Sequence, residues 1–257
     1  MSQPPFVPLK MKQQTNVVNK KALLFDLDGT LIDSLDDLVS AINQTMTANN
    51  LSSLSREAVS RFIGKGSFIL VEKALKEVLG KLPAKNVVEQ IHRQYLQNML
   101  HTQGRYTRCF DGVHASLDAL KNGGFCLALV TNKPRINTLR LTQQLDLDRF
   151  FSVIVAGDDT PNPKPAPDIL MVAMSQLGLA PQECIMIGDS MNDALAAQNA
   201  DVACVLLETG YNEGIDIADW AQIHAPQANV FTTLKDAVSF LTKTGGCPLS
   251  LIPQSIA

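Results

Sequence analysis

Short, almost wholly apolar runs recur along the chain. They are Ala22 to Asp26, Cys126 to Val130, Val153 to Ala156, Cys184 to Ile187 and Val202 to Leu206, with a short late run near Asn229 to Phe231. Runs this short and this uniformly apolar predict strands covered on both faces, as in a parallel sheet. Amphipathic helical stretches separate them: Gly112 to Asn122, Ile136 to Leu145, Ala166 to Leu177 and Asn192 to Asn199. The alternation predicts an α/β fold with a doubly wound, mostly parallel sheet. Ligands of such folds gather beyond the carboxyl ends of the strands.

One region breaks the alternation. From Ser34 to Gln103 no strand pattern appears, while Ile69, Glu72-Lys73, Leu75-Lys76, Leu79 and then Val87, Ile91, Tyr95, Met99 follow a helical period. We read an inserted helical cap domain over residues 34–104, lying over the site that the first strand presents. The competing reading is a helical bundle with a structural role only. The α/β catalytic core is then expected over 20–33 and 105–244, with a flexible N-terminal extension at 1–19 and a C-terminal tail at 245–257.

Composition narrows the field. The chain has 257 residues, 46% hydrophobic and 18% charged, which suits a globular protein. A formal net charge of −3 gives no general attraction to nucleic acid or anionic membrane. No apolar run is long enough to span a bilayer, and the polar, Pro-containing start lacks the apolar stretch of a signal peptide. The cysteines Cys109, Cys126, Cys184, Cys204 and Cys247 are scattered, with no C-x-x-C pair. Small buried thiols in a reducing cytoplasm account for them.

Candidate chemistry sits at the strand ends. Asp26-Leu27-Asp28-Gly29-Thr30 follows the first strand, and its two carboxylates could hold a divalent metal and a phosphoryl group around a carboxylate nucleophile. The lesser alternative is a capped turn in which each acid bonds local N–H groups. Thr131-Asn132-Lys133 follows Cys126 to Val130, and could bind phosphate oxygens or simply begin a helix at Pro134. Lys164 lies among prolines in Asn162 to Asp168, held before a helix or merely solvated. Gly188-Asp189-Ser190-Met191-Asn192-Asp193 follows Cys184 to Ile187, and helix capping explains one of its acids better than two. Taken together, acids, a hydroxyl and a lysine at several strand ends make a divalent-metal and phosphate site.

The motifs F-D-L-D-G-T-L-I-D-S, T-N-K, the lysine in N-P-K-P-A-P-D, and G-D-S-M-N-D resemble those of the haloacid dehalogenase superfamily. V-T-N-K-P, A-G-D-D before the lysine loop and G-Y-N-E-G at 210–214 resemble its phosphoglycolate phosphatase branch. The resemblance covers Lys21 to Leu241. It departs at Asn199-Ala200-Asp201, where an A-G pair is more usual.

The resemblance implies a Mg²⁺-dependent phosphatase acting on a small-molecule phosphate monoester, 2-phosphoglycolate before others, through an aspartyl-phosphate. In that scheme Asp26 is the nucleophile and Asp28 the general acid and base. Mg²⁺ is held by the Asp26 carboxylate, the Asp28 backbone carbonyl and Asp189. Thr131 and Asn132 bind the phosphoryl group, Lys164 offsets its charge, and Asp193 orients Lys164 or a metal-bound water. A sugar phosphomutase or a broad sugar-phosphate phosphatase shares these motifs. A phosphate-sensing protein on the same fold would belong to another class. Within the cap, Ile63-Gly64-Lys65-Gly66-Ser67 is a glycine-flanked loop, and Lys65 or Ser67 is expected to touch the leaving group unless the loop is a plain turn. The expectation is a cytoplasmic monomer or homodimer without nucleic-acid or membrane partners.

Overall fold

The computed structural model describes residues 20–243. The N-terminal extension, the C-terminal tail and Cys247 lie outside the described residues. Strands β1 (Ala22–Phe25), β4 (Cys126–Val130), β5 (Val153–Val155), β6 (Cys184–Gly188), β7 (Ala203–Leu207) and β8 (Asn229–Phe231) form one sheet in the order β5-β4-β1-β6-β7-β8. Every pairing in it is parallel, with Phe25 opposite Leu129 on one side and Ile187 on the other. The chain first steps outward from β1 to β5 and then returns to lay β6 on the other flank of β1. That reversal puts β1 at the switch point, where the loops of neighbouring strands diverge and leave a crevice.

Alternate strand residues face opposite sides, and both sides are apolar. Leu23, Phe25, Leu127, Leu129, Ile185 and Ile187 pack towards α5 (Val113–Asn122) and α10 (Leu234–Lys243), and α6 (Arg135–Gln144) adds Leu141 to the same cluster. Ala22, Leu24, Ala128, Val130, Cys184 and Met186 pack towards α7 (Asp168–Leu177), α8 (Met191–Asn199) and α9 (Ile217–His224). Burial on both faces is why these strands carry no polar alternation. Truncating a central residue such as Leu23 to Ala would cost about 2–5 kcal/mol. Cys184 and Cys204 are buried, while Cys109 and Cys126 are half-buried. Asp201 adopts φ +56°, a left-handed conformation that Asp tolerates better than most side chains.

Between β1 and β4 the chain forms α1 (Leu35–Ala48), α2 (Arg56–Ser60), α3 (Ser67–Leu79) and α4 (Lys85–Thr102). These helices share their own apolar cluster, including Leu38, Ile42, Met46, Val71, Leu75, Ile91 and Tyr95. Ser55 caps α2 by accepting from the Ala58 N–H at 3.1 Å, and Gly80 ends α3 in the left-handed region. The sequence pattern did not foretell two short strands, β2 (Ile32–Asp33) and β3 (Arg108–Cys109), which pair antiparallel where the chain leaves and re-enters the core. Buried Asp37 reinforces that junction by accepting from the Tyr106 and Thr107 backbone N–H groups, each at 3.0 Å. Among the described residues no helix is long and apolar enough to cross a membrane.

Candidate active site

The carboxyl ends of β1, β4 and β6 meet under the helical insert. Asp26 leaves β1 with its backbone N–H bonded to Ile187 O at 2.9 Å, so the neighbouring strand fixes its direction. The turn after it closes through the Gly29 N–H to Ile32 O at 2.8 Å and the Leu31 N–H to Leu27 O at 2.9 Å. Gly29 has φ +93°, and a Cβ there would lie 2.4 Å from Asp189 Oδ2. Gly210 is tighter still: its Cβ would lie 1.7 Å from the same oxygen. Both positions need glycine because the Asp189 carboxylate occupies the space.

Lys164 is the most deeply buried lysine of the site, 1% exposed. Its Nζ lies 2.8 Å from Asp26 Oδ1, and donates to Asp193 Oδ1 at 2.7 Å and to Val130 O at 2.9 Å. Burial pulls the lysine pKa down, but Asp193 and then Asp26 outweigh it and the net shift is upward. The ammonium therefore keeps its charge. Asp193 is 0% exposed, and its second oxygen accepts from the Asp189 N–H at 3.2 Å, the Ser190 N–H at 3.1 Å and the Ser190 hydroxyl at 2.7 Å. It thus closes the first turn of α8 in the manner of a capping box while it holds Lys164. Its two carboxylate oxygens are both engaged.

Asp189 accepts from the Thr30 hydroxyl at 2.7 Å and from the Tyr211 N–H at 3.2 Å. Carboxylate oxygens of Asp26, Asp189 and Asp193 lie within 4.8 Å of one another. Burial raises the Asp26 pKa to about 6, with Lys164 opposing and Asp193 adding to the rise. Burial also lifts Asp189 well above the usual carboxylate range, followed by the charges of Asp193 and Asp26. Clustered acids of this kind are short of positive charge. Asp26 Oδ1 is also buried without an aligned hydrogen-bond donor. An all-oxygen donor set with an underused carboxylate oxygen fits a hard divalent cation. Asp193, bound to the Lys164 ammonium at one oxygen and to three donors at the other, fits a supporting place better than a ligand's.

Asp28 points elsewhere. Lys133 Nζ donates to its two oxygens at 2.9 and 3.0 Å, and the Ser34 hydroxyl donates to Oδ1. Asn132 is held on both sides: its Nδ2 donates to Lys164 O and to Gly64 O, each at 2.9 Å, and its Oδ1 accepts from the Lys164 N–H at 2.8 Å. The bond to Gly64 ties the core to the cap loop. Thr131 Oγ1 accepts from the Lys133 N–H at 3.3 Å.

A half-open cavity lies between the helices and the core. Asp26, Asp28, Thr131, Asn132 and Lys133 form its floor, and Gly64, Gly66, Ser67, Leu70, Tyr95 and Met99 are among its cap-side residues. The structure therefore brings Asp26, Asp28, Thr131, Asn132, Lys164, Asp189 and Asp193 together, and places Ser67 in the cavity wall. Lys65 is not in that wall. Its Nζ lies 2.6 Å from Glu213 Oε1, while Lys73 reaches Glu213 Oε2 at 2.6 Å.

Sequence reasoning passed over the roles of Lys133, Gly210, Tyr211 and Tyr95. Lys133 stood inside a recognised motif, but its partner Asp28 is 105 residues away. The run Gly210-Tyr211 carries no chemistry of its own in the sequence, although its glycine and backbone N–H press on Asp189. Nothing in the helical period distinguished Tyr95 from a core residue.

A model of the haloacid dehalogenase-like hydrolases matches residues 23–207. The chain is 38% identical over 205 residues to a phosphoglycolate phosphatase of Colwellia psychrerythraea, covering 77% of this chain and 88% of the relative. It is 35% identical over 216 residues to the phosphoglycolate phosphatase of Salmonella typhimurium, covering 78% and 86%. A crystal structure from Haemophilus somnus 129PT, described as a predicted phosphoglycolate phosphatase, superposes with a TM-score of 0.80 at 31% identity, over 87% of this chain and 98% of that one. CbbY of Rhodobacter sphaeroides, solved with phosphate, shares the fold at a TM-score of 0.70 and 24% identity, over 84% and 95%.

Proposed function

The chain belongs to the haloacid dehalogenase-like hydrolases, and from that membership we propose that it is a Mg²⁺-dependent phosphatase of small phosphate monoesters, with 2-phosphoglycolate its substrate. One observation carries the reading: Asp26, a buried carboxylate with an oxygen lacking an aligned donor, sits between a buried lysine and a second acid at the floor of a cavity under the helices. The phosphoglycolate phosphatases among its relatives support the choice of ester.

Asp26 attacks the phosphorus. The bond from phosphorus to the ester oxygen breaks, and an aspartyl-phosphate forms. Asp28, aimed by Lys133 and Ser34, gives its proton to the departing alkoxide and then takes one from the water that cleaves the intermediate. Thr131 and the Asn132 main chain hold the phosphoryl oxygens, since the Asn132 side chain is engaged by Gly64 and Lys164. Lys164 offsets charge next to the nucleophile, and Asp193 fixes the lysine in place. Mg²⁺, held by the Asp26 and Asp189 carboxylates and the Asp28 backbone carbonyl, would supply the positive charge that lets a carboxylate approach a phosphate. The helical cap excludes bulk water while the acyl-phosphate forms and opens for release.

The test is a Mg²⁺-dependent comparison of kcat/KM across small phosphate esters, with a glucose 1-phosphate isomerisation assay alongside. 2-Phosphoglycolate should rank first, and Asp26→Asn should abolish turnover. Isomerisation of glucose 1-phosphate, or full activity in Asp26→Asn, would defeat the reading.

A further inference from the structure

The cap side of the cavity contains a polar group that the chemistry above does not use. Tyr95, on α4, is 0% exposed and lines the cavity, and its hydroxyl has no hydrogen-bond partner. A buried hydroxyl without a partner has given up water for nothing in return, so a side chain of this size is seldom left so. Burial first, and then the charge of Asp28, push the tyrosine pKa upward. The hydroxyl therefore stays protonated and is available as a donor. Asp28 lines the same cavity and is the charged group that bears on it.

The second observation is the start of α3. Gly66 and Ser67 line the cavity, and no side chain caps the helix there. Ser67, the residue placed to help, has its hydroxyl 2.9 Å from His92 Nε2 instead. The first-turn N–H groups of a helix of this length carry the positive end of its dipole and favour an anion. Leu38, Ile63, Leu70 and Met99 make up much of the remaining wall. A polyol leaving group would strand its hydroxyls against them, whereas a short acid would not.

We propose that the Tyr95 hydroxyl and the open N-terminus of α3 receive the carboxylate of the leaving group, so that Tyr95 sets the preference for a short acidic ester. This deepens the phosphatase reading and rests on it. Lys65, engaged by Glu213, has no part in the contact.

The experiment compares 2-phosphoglycolate with ethyl phosphate, which has the same length and a methyl group in place of the carboxylate. Wild-type protein should favour 2-phosphoglycolate by at least 10-fold in kcat/KM. In Tyr95→Phe that ratio should fall by about 10- to 100-fold, mainly through KM, because the variant loses only the donor. A purely structural role would lower both esters together and leave the ratio in place. That result, or a wild-type protein that turns over both esters equally, would overturn the inference while leaving the phosphatase reading intact. Wild-type protein inactive on both esters would overturn the phosphatase reading itself, and this inference with it.

Discussion

Replacing Lys164 by methionine tests the electrostatic frame of the site directly. Methionine keeps most of the volume and removes the charge. Asp26 Oδ1 and Asp193 Oδ1, now 2.8 and 2.7 Å from an ammonium, would face each other in a buried site without it. Breaking a buried ion pair by removing one partner costs about 3–5 kcal/mol, because a charge is left uncompensated. At about 2–4 °C per kcal/mol for a chain of this size, melting should fall by roughly 6–20 °C. The effect should also depend on pH. Asp26 already titrates near 6 in the folded protein, above its ordinary value of 3.8. A raised carboxylate pKa contributes stability that is present below the unfolded pKa and is lost as pH rises through the folded one. Removing the lysine removes the influence that holds this pKa down, so the deficit should be smaller at pH 5 than at pH 8. Urea unfolding of both proteins in a chelator, at each pH, measures it without metal compensation. A deficit under about 1 kcal/mol, equal at both pH values, would refute the argument.

Three further outcomes follow from the same geometry. Gly210→Ala should weaken Mg²⁺ binding by about 10- to 100-fold in titration calorimetry, since its Cβ would fall 1.7 Å from Asp189 Oδ2 and must move that carboxylate; unchanged affinity would show that Asp189 does not hold the ion. Burial raises Asp26 to about 6 and lifts Asp189 too, so Mg²⁺ must displace protons at low pH; apparent affinity should fall at least 10-fold between pH 7 and pH 5, and a flat profile would contradict the shifts. Glu213→Gln should loosen the cap by weakening the partly exposed pairs to Lys65 and Lys73. Such pairs contribute about 0.5 kcal/mol each, so KM should rise only about 5-fold, and less in high salt.

The sheet was legible in the sequence because a parallel strand buried on both faces has no polar residue to blur its ends. Cys126 to Val130 coincides with β4 and Asn229 to Phe231 with β8, and the ends of the other strands differ by at most one residue. β2 and β3 were not legible: two residues carry no period, and their pairing joins segments far apart in the chain. The last helix, α10, does carry a period in Leu234, Ala237, Val238 and Leu241, and could have been read. In the site, Asp26, Asp28 and Asp189 are legible because they follow apolar runs, and Lys164 because it lies among prolines before a helix. What was hidden depends on contacts between distant segments. Lys133 beside Asp28, Gly210 against Asp189 and Tyr95 in the cavity wall are ordinary residues until the fold sets them there.

The small clasp of Ile32 with Cys109 and Asp33 with Arg108 has a consequence for how such a protein is put together. Partners in an antiparallel pair lie about 4.5–5.5 Å apart. The two strands crossing between core and helices therefore stand side by side, and a tight turn could span the gap. Seen from the sheet, everything between them is a loop whose mouth is already shut, so its length adds little to the entropy of folding the rest. Helical inserts of other sizes and shapes could be exchanged at that mouth while the nucleophile on β1 keeps its aim.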